Sequence, residues 1–116
     1  MKDFDILFKE GRFVNGSLIS AKIWKINTEK YPERKYSNKD LKIGFVVSKK
    51  VSKKAFVRNR LKRQMREIVR LYLKENGLRE GFMALFMAKE EMIGKEYEEI
   101  RKSMIDVLKK GGILSS

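Results

Sequence analysis

The apolar positions of the chain fall into stretches that repeat every second residue and longer stretches that repeat every third or fourth. Ile19, Ala21 and Ile23 alternate with Ser20, Lys22 and Trp24, the repeat of a strand with one side turned to a core. This predicts a strand over residues 17–26. Ile43, Phe45 and Val47 alternate likewise with Lys42, Gly44, Val46 and Ser48, predicting a strand over 41–48 in which Gly44 leaves room for another backbone to approach. Residues 82–88 are apolar at every position, as expected of a strand covered on both sides.

Helical spacing governs two other stretches. Val57, Leu61, Met65, Ile68 and Tyr72 recur at steps of three and four. Turning each residue by roughly 100° places them, with Leu71, in one arc that must face a core. Tyr97, Ile100, Met104, Val107 and Leu108 do the same over 96–110, where Gly111 and Gly112 close the helix. Near the start, Asp3 is placed to cap a helix over 3–10 that Gly11 ends, with Phe4 and Phe8 on one face. Residues 27–40 are polar, hold the one proline and predict an exposed connection. Residues 13–16 offer a short extra strand. The predicted order is α-β-β-α-β-α, a small α+β sandwich forming a single domain over residues 1–116.

Length agrees with that architecture, because 116 residues of which 42% are hydrophobic can bury one core and hardly two. Met83, Met87, Met92 and Met104 stand at strand and helix core spacing, where methionine packs, and no function is assigned to them.

Charge turns the central helix from a structural element into a candidate site. Between Lys49 and Arg70 ten Lys or Arg residues stand against one acid, Glu67. Opposite the apolar arc lie Asn59, Lys62, Arg63, Arg66 and Arg70, with Arg58 and Arg60 at its two borders. Lys62/Arg66 and Arg66/Arg70 are like-charge pairs four apart, which repel by a few tenths of a kcal/mol each. A polyanion would remove that repulsion. The whole chain carries a net charge of +13, which suits nucleic acid or an anionic membrane surface. A membrane-lying helix would set bulky aromatic and aliphatic residues against its cations, whereas Trp24 and most of the phenylalanines lie elsewhere.

Other chemistry is excluded by what the chain lacks. With no cysteine and no histidine there is no disulfide, no thiolate or imidazole metal site, no cysteine nucleophile and no histidine base. No apolar run is long enough to span a bilayer and no signal-peptide pattern is present. The expected location is the cytoplasm, with no membrane partner.

The string Lys42-Ile43-Gly44-Phe45-Val46-Val47-Ser48-Lys49-Lys50, followed by Arg58-Asn59-Arg60-Leu61-Lys62-Arg63-Gln64-Met65-Arg66-Glu67, resembles the protein subunit of bacterial ribonuclease P. The resemblance extends to Asp3-Phe4 through Phe8-Lys9-Glu10-Gly11, to Gly81-Phe82 and to Glu98-Glu99-Ile100. It implies an α/β sandwich whose Arg-Asn-Arg helix lies in a left-handed β-α-β crossover, against the usual handedness rule. It also implies that the protein assists a catalytic RNA subunit in magnesium-dependent removal of the 5′ leader from precursor tRNA. The RNA would carry the chemistry, with no catalytic residue on the protein. Mg2+ would be bound mainly by the RNA and not tightly by the protein alone.

Carried across by position, Arg58, Asn59, Arg60, Lys62, Arg63, Arg66 and Arg70, with Lys49, Lys50, Lys53 and Lys54, would bind the RNA subunit, one protein to each RNA. Phe4 and Phe8 match the family's aromatic pair beside a cleft for the single-stranded leader, although phenylalanines four apart also suit a core. Ser20, Lys22, Val46 and Ser48 alternate in the pattern of that cleft's floor, with Lys22 where relatives can carry an aromatic. Many relatives have a basic segment before the first helix; this chain opens at Met1-Lys2-Asp3-Phe4, and contacts from such a segment are expected to be missing.

Three other readings stay open on the residues alone. One is a different RNA-binding or ribosome-associated protein. Another is a DNA-binding regulator, though a strand rather than a helix precedes the basic helix. The third is a protein-only nuclease, which would need more carboxylates than Glu67 on the basic face.

Overall fold

A computed structural model describes residues 11–25, 41–76 and 81–112. The expected opening helix with Phe4 and Phe8, the connection over 27–40 and Ile26, the end of the strand predicted over 17–26, lie outside those residues. Among the described residues there are four strands: β1 (Arg12–Asn15), β2 (Ile19–Lys25), β3 (Leu41–Val46) and β4 (Phe82–Ala88). Two α-helices accompany them, α1 (Ala55–Asn76) and α2 (Tyr97–Lys110), with a 3-10 turn at Glu90–Met92. The short stretch offered as an extra strand is thus a real one, and it forms a hairpin with β2.

The sheet runs β1-β2-β4-β3. β4 pairs antiparallel with β2 and parallel with β3, and its all-apolar sequence matches burial on both faces, with Met83 and Leu85 on one and Ala84, Phe86 and Ala88 on the other. A parallel pair needs a crossover, and α1 supplies it between β3 and β4. Both helices pack on the side of the sheet that carries Ile19, Ala21, Ile23, Ala84, Phe86 and Ala88. Phe45 stacks on Phe86 there, with ring centroids 5.8 Å apart. Leu61, Met65, Ile68 and Val69 from α1 and Ile100, Met104, Val107 and Leu108 from α2 complete this core, each large side chain contributing about 1.5–3 kcal/mol by leaving water.

The pattern of burial departs from expectation at several points. Leu71 is 38% exposed and Val69 takes its place in the core, because the buried arc of α1 is rotated toward Val69 by its seat between sheet and α2. Tyr97 is likewise 47% exposed, and Ser103 is buried instead. The Ser103 hydroxyl accepts a hydrogen bond from the Leu18 amide at 3.0 Å, which satisfies a buried donor. Residues 17 and 18 form a bend rather than the start of β2, and β3 ends at Val46, two residues early. Val47 nevertheless keeps its side chain in the core.

Close approach of α2 to the β1–β2 connection depends on Gly16, where a Cβ would collide with the Ile19 carbonyl oxygen and Val107 Cγ2. α2 is closed at its start by a capping box between Glu96 and Glu99. At its end Gly112 adopts φ 72° and donates to the Lys109 carbonyl at 3.1 Å.

Candidate nucleic-acid interface

The basic segment begins where β3 stops. Ser48 accepts a hydrogen bond from the Val51 amide at 3.0 Å, closing a turn that leaves Lys49 and Lys50 exposed. The Ser52 hydroxyl then accepts from the Lys54 amide at 3.2 Å, and the Lys54 carbonyl accepts from the Val57 and Arg58 amides. This builds the first turn of α1 with Lys53 and Lys54 in solvent. No acid occupies that turn, so nothing offsets the positive end of the helix dipole beside the four lysines.

Along α1 the expected polar arc is where the periodicity put it. Asn59, Arg60, Arg63, Arg66 and Arg70 are exposed, while Lys62 and Arg58 are half-buried. Arg58 is distinct, since its Nη1 donates to the Ser52 carbonyl at 2.9 Å and ties the helix to the preceding turn. Glu67 lies 3.9 Å from Arg70 in a solvent-exposed ion pair, worth little in stability. Among the described residues Lys62, Arg63 and Arg66 have no ion-pair partner. Arg63, Arg66, Glu67 and Arg70 line an open depression of about 210 Å³, a basic hollow suited to a phosphate oxygen held by forked guanidinium groups.

A second candidate surface occupies the other face of the sheet. Ser20 and Lys22 on β2 and Val46 on β3 point to that face, but β2 and β3 are not neighbours: β4 lies between them. The register sets Ser20 and Val46 on either side of Met87 in one row, and Lys22 and Gly44 on either side of Leu85 in the next. The half-buried Met87 is therefore part of any surface built there, while Leu85 is only 2% exposed, a placement that strand order decides and alternation does not. Val46 is 37% exposed and Ser20 only 7%, so the edge rather than the middle of this face is open. Ser48 lies beyond the strand, at the point where the sheet face meets the lysine turn. Phe4 and Phe8 lie outside the described residues.

One exposed aromatic on the basic helix went unread in the sequence. Phe56 is 66% exposed, with the Lys54 ammonium 5.9 Å from its ring centroid. The signal was present, because at roughly 100° per residue Phe56 falls between Arg60 and Arg63; it stands one residue before the apolar repeat begins.

What this arrangement can do is bind. It offers a row of guanidinium and ammonium groups for phosphates, and among the described residues no three acidic side chains converge as metal ligands. No helix of the described residues is long and apolar enough to cross a membrane.

Comparison with known proteins agrees with the family resemblance of the sequence. The family model described as Ribonuclease P matches residues 1–112. The ribonuclease P protein component of Clostridium botulinum (strain Langeland) is 40% identical over 72 residues, covering 62% of this chain and 63% of that protein. The match thus spans under two thirds of that relative's length. The component from Clostridium kluyveri is 32% identical over 111 residues, covering 96% of this chain and 89% of its own length. Among solved structures, the RNase P protein of Thermotoga maritima superposes with a TM-score of 0.74 at 26% identity, over 94% of this chain and 91% of the other. That of Staphylococcus aureus gives 0.76 at 22% identity, over 98% and 93%, and shows likeness of fold. A match over nearly the whole chain establishes that this chain belongs to the Ribonuclease P protein family.

Proposed function

We propose that this protein is the protein subunit of a ribonucleoprotein ribonuclease P, acting in the cytoplasm on precursor tRNA, one protein to each RNA subunit. The observation that carries this reading is the solvent face of α1, where cations without ion-pair partners continue from the exposed lysines of the preceding turn. Arg58, Asn59, Arg60, Lys62, Arg63, Arg66 and Arg70, with Lys49, Lys50, Lys53 and Lys54, bind phosphates of the catalytic RNA. Neutralising those phosphates releases counterions and lowers the repulsion between RNA segments that must approach one another.

In this reading the opposite sheet face, with Lys22, Val46 and Ser48 and the intervening Met87, receives the single-stranded 5′ leader. Lys22 meets its phosphates and the apolar row its bases. Magnesium bound on RNA phosphates would supply an activated water and charge stabilisation for hydrolysis. The protein holds the RNA and the leader, and so lowers the magnesium concentration at which the complex works.

The test is single-turnover cleavage of precursor tRNA by a bacterial ribonuclease P RNA at low magnesium, with and without the purified protein. Stimulation over RNA alone, with no cleavage by protein alone, supports the reading. RNA binding without stimulation leaves a general RNA-binding protein.

A further inference from the structure

Phe56 is the most exposed of the large apolar side chains described, and its surroundings name its partner. Around the α1 axis it lies roughly 20° from Arg63 and roughly 40° from Arg60, both exposed. Lys54, two residues earlier and just before the helix begins, places its ammonium 5.9 Å from the ring centroid. A lone exposed phenylalanine on a neutral surface would need no explanation; one whose near neighbours on the helix face are Arg60 and Arg63, with neutral Asn59 beside them and the acid Glu67 about three turns further on, is different. A second copy of this chain would bring its own net charge of +13 to the same patch. A bilayer surface would need further apolar groups beside Phe56, and that part of the arc holds Asn59, Arg60 and Arg63. A nucleobase meets both conditions, since its phosphates satisfy the cations while its π-face covers the ring.

We infer that Phe56 stacks on an unpaired base of the RNA bound by α1, and so adds a salt-independent contribution to an otherwise electrostatic interface. The Lys54 ammonium polarises one face of the ring and the base covers the other. The inference rests on the RNA-binding reading above and adds to it a recognition element: a bulged or looped nucleotide next to the helix N-terminus.

The two parts separate in a salt titration. Affinity of the full chain for a ribonuclease P RNA transcript is measured over a series of potassium chloride concentrations at fixed magnesium. The set comprises the wild type, Phe56→Leu, Phe56→Ala and Phe56→Tyr, with helicity of each checked by circular dichroism. Leucine keeps apolar bulk and helix propensity but cannot stack, so it guards against a folding artefact in the alanine variant.

The expected result is about ten-fold weaker binding for Leu and Ala at every salt concentration, with an unchanged slope, and affinity within about two-fold of wild type for Tyr. Phe56→Leu binding as tightly as wild type, on an intact steep salt slope, overturns the stacking and leaves the RNA-binding reading in place. A tyrosine variant as weak as leucine also overturns it. No salt-dependent binding by the wild type overturns the reading itself.

Discussion

The Arg58 guanidinium donates to the carbonyl oxygen of Ser52 at 2.9 Å, so the first arginine of the Arg-Asn-Arg string fastens α1 to the turn before it. Arg66, two turns further on, is exposed and has no ion-pair partner among the described residues. Residues that look equivalent in the string therefore have separable duties.

Arg58→Ala is expected to lower folding stability by about 1 kcal/mol, the scale of a partly exposed hydrogen bond to a charged group, and Arg66→Ala to leave it within about 0.5 kcal/mol. Denaturant melts of both variants check this. Equal stabilities would show that the Ser52 bond has no structural role.

Arg66→Ala is expected instead to change the salt dependence of RNA binding. If about six to eight cations contact phosphates, log affinity falls against log salt with a slope of roughly −5 to −7, and each lost contact reduces the slope by about 0.9. Filter binding at several salt concentrations measures this. An unchanged slope for Arg66→Ala would remove that residue from the interface.

Much of this arrangement was legible before any coordinates. Residues 82–88 formed a strand with the predicted bounds, because a run apolar on both faces and bounded by Gly81 and Lys89 has few other uses. The polar arc of α1 was legible because Lys62, Arg66 and Arg70, each four apart, share a sign. The Leu71 and Val69 exchange was not, since both border the apolar arc and only the seat of the helix on sheet and α2 chooses between them. Strand order was also closed to inspection: Ser20 and Val46 were grouped from their alternation together with the family resemblance, while Met87 between them comes from a pairing distant in sequence. Ser103 was missed because a serine inside an apolar stripe looks like surface until its partner, the Leu18 amide, is known.

Gly16→Ala is expected to destabilise the fold by about 1–3 kcal/mol, the usual cost of overpacking, because its Cβ would meet the Ile19 carbonyl and Val107. Thermal or denaturant unfolding reads this directly. Wild-type stability would mean that α2 can shift away from the β1–β2 connection at no cost.

Val46→Glu is expected to weaken binding of leader-bearing precursor several-fold more than binding of mature tRNA by the protein–RNA complex, since it sets an acid beside the leader's phosphates. Val46 is 37% exposed at the end of β3, so the substitution leaves the core intact. Equal losses for both RNAs would move the leader away from this sheet face.

The central claim, that the exposed cations of α1 bind the catalytic RNA and thereby support cleavage, is tested most directly by the double variant Arg63→Gln/Arg66→Gln. Single-turnover cleavage of precursor tRNA by ribonuclease P RNA is followed at low magnesium while the protein is titrated, wild type against variant. The account predicts that the wild type stimulates cleavage and that the variant needs at least about ten-fold more protein for the same rate, with the deficit closing as magnesium is raised. Equal stimulation by both proteins at the same concentrations would contradict it.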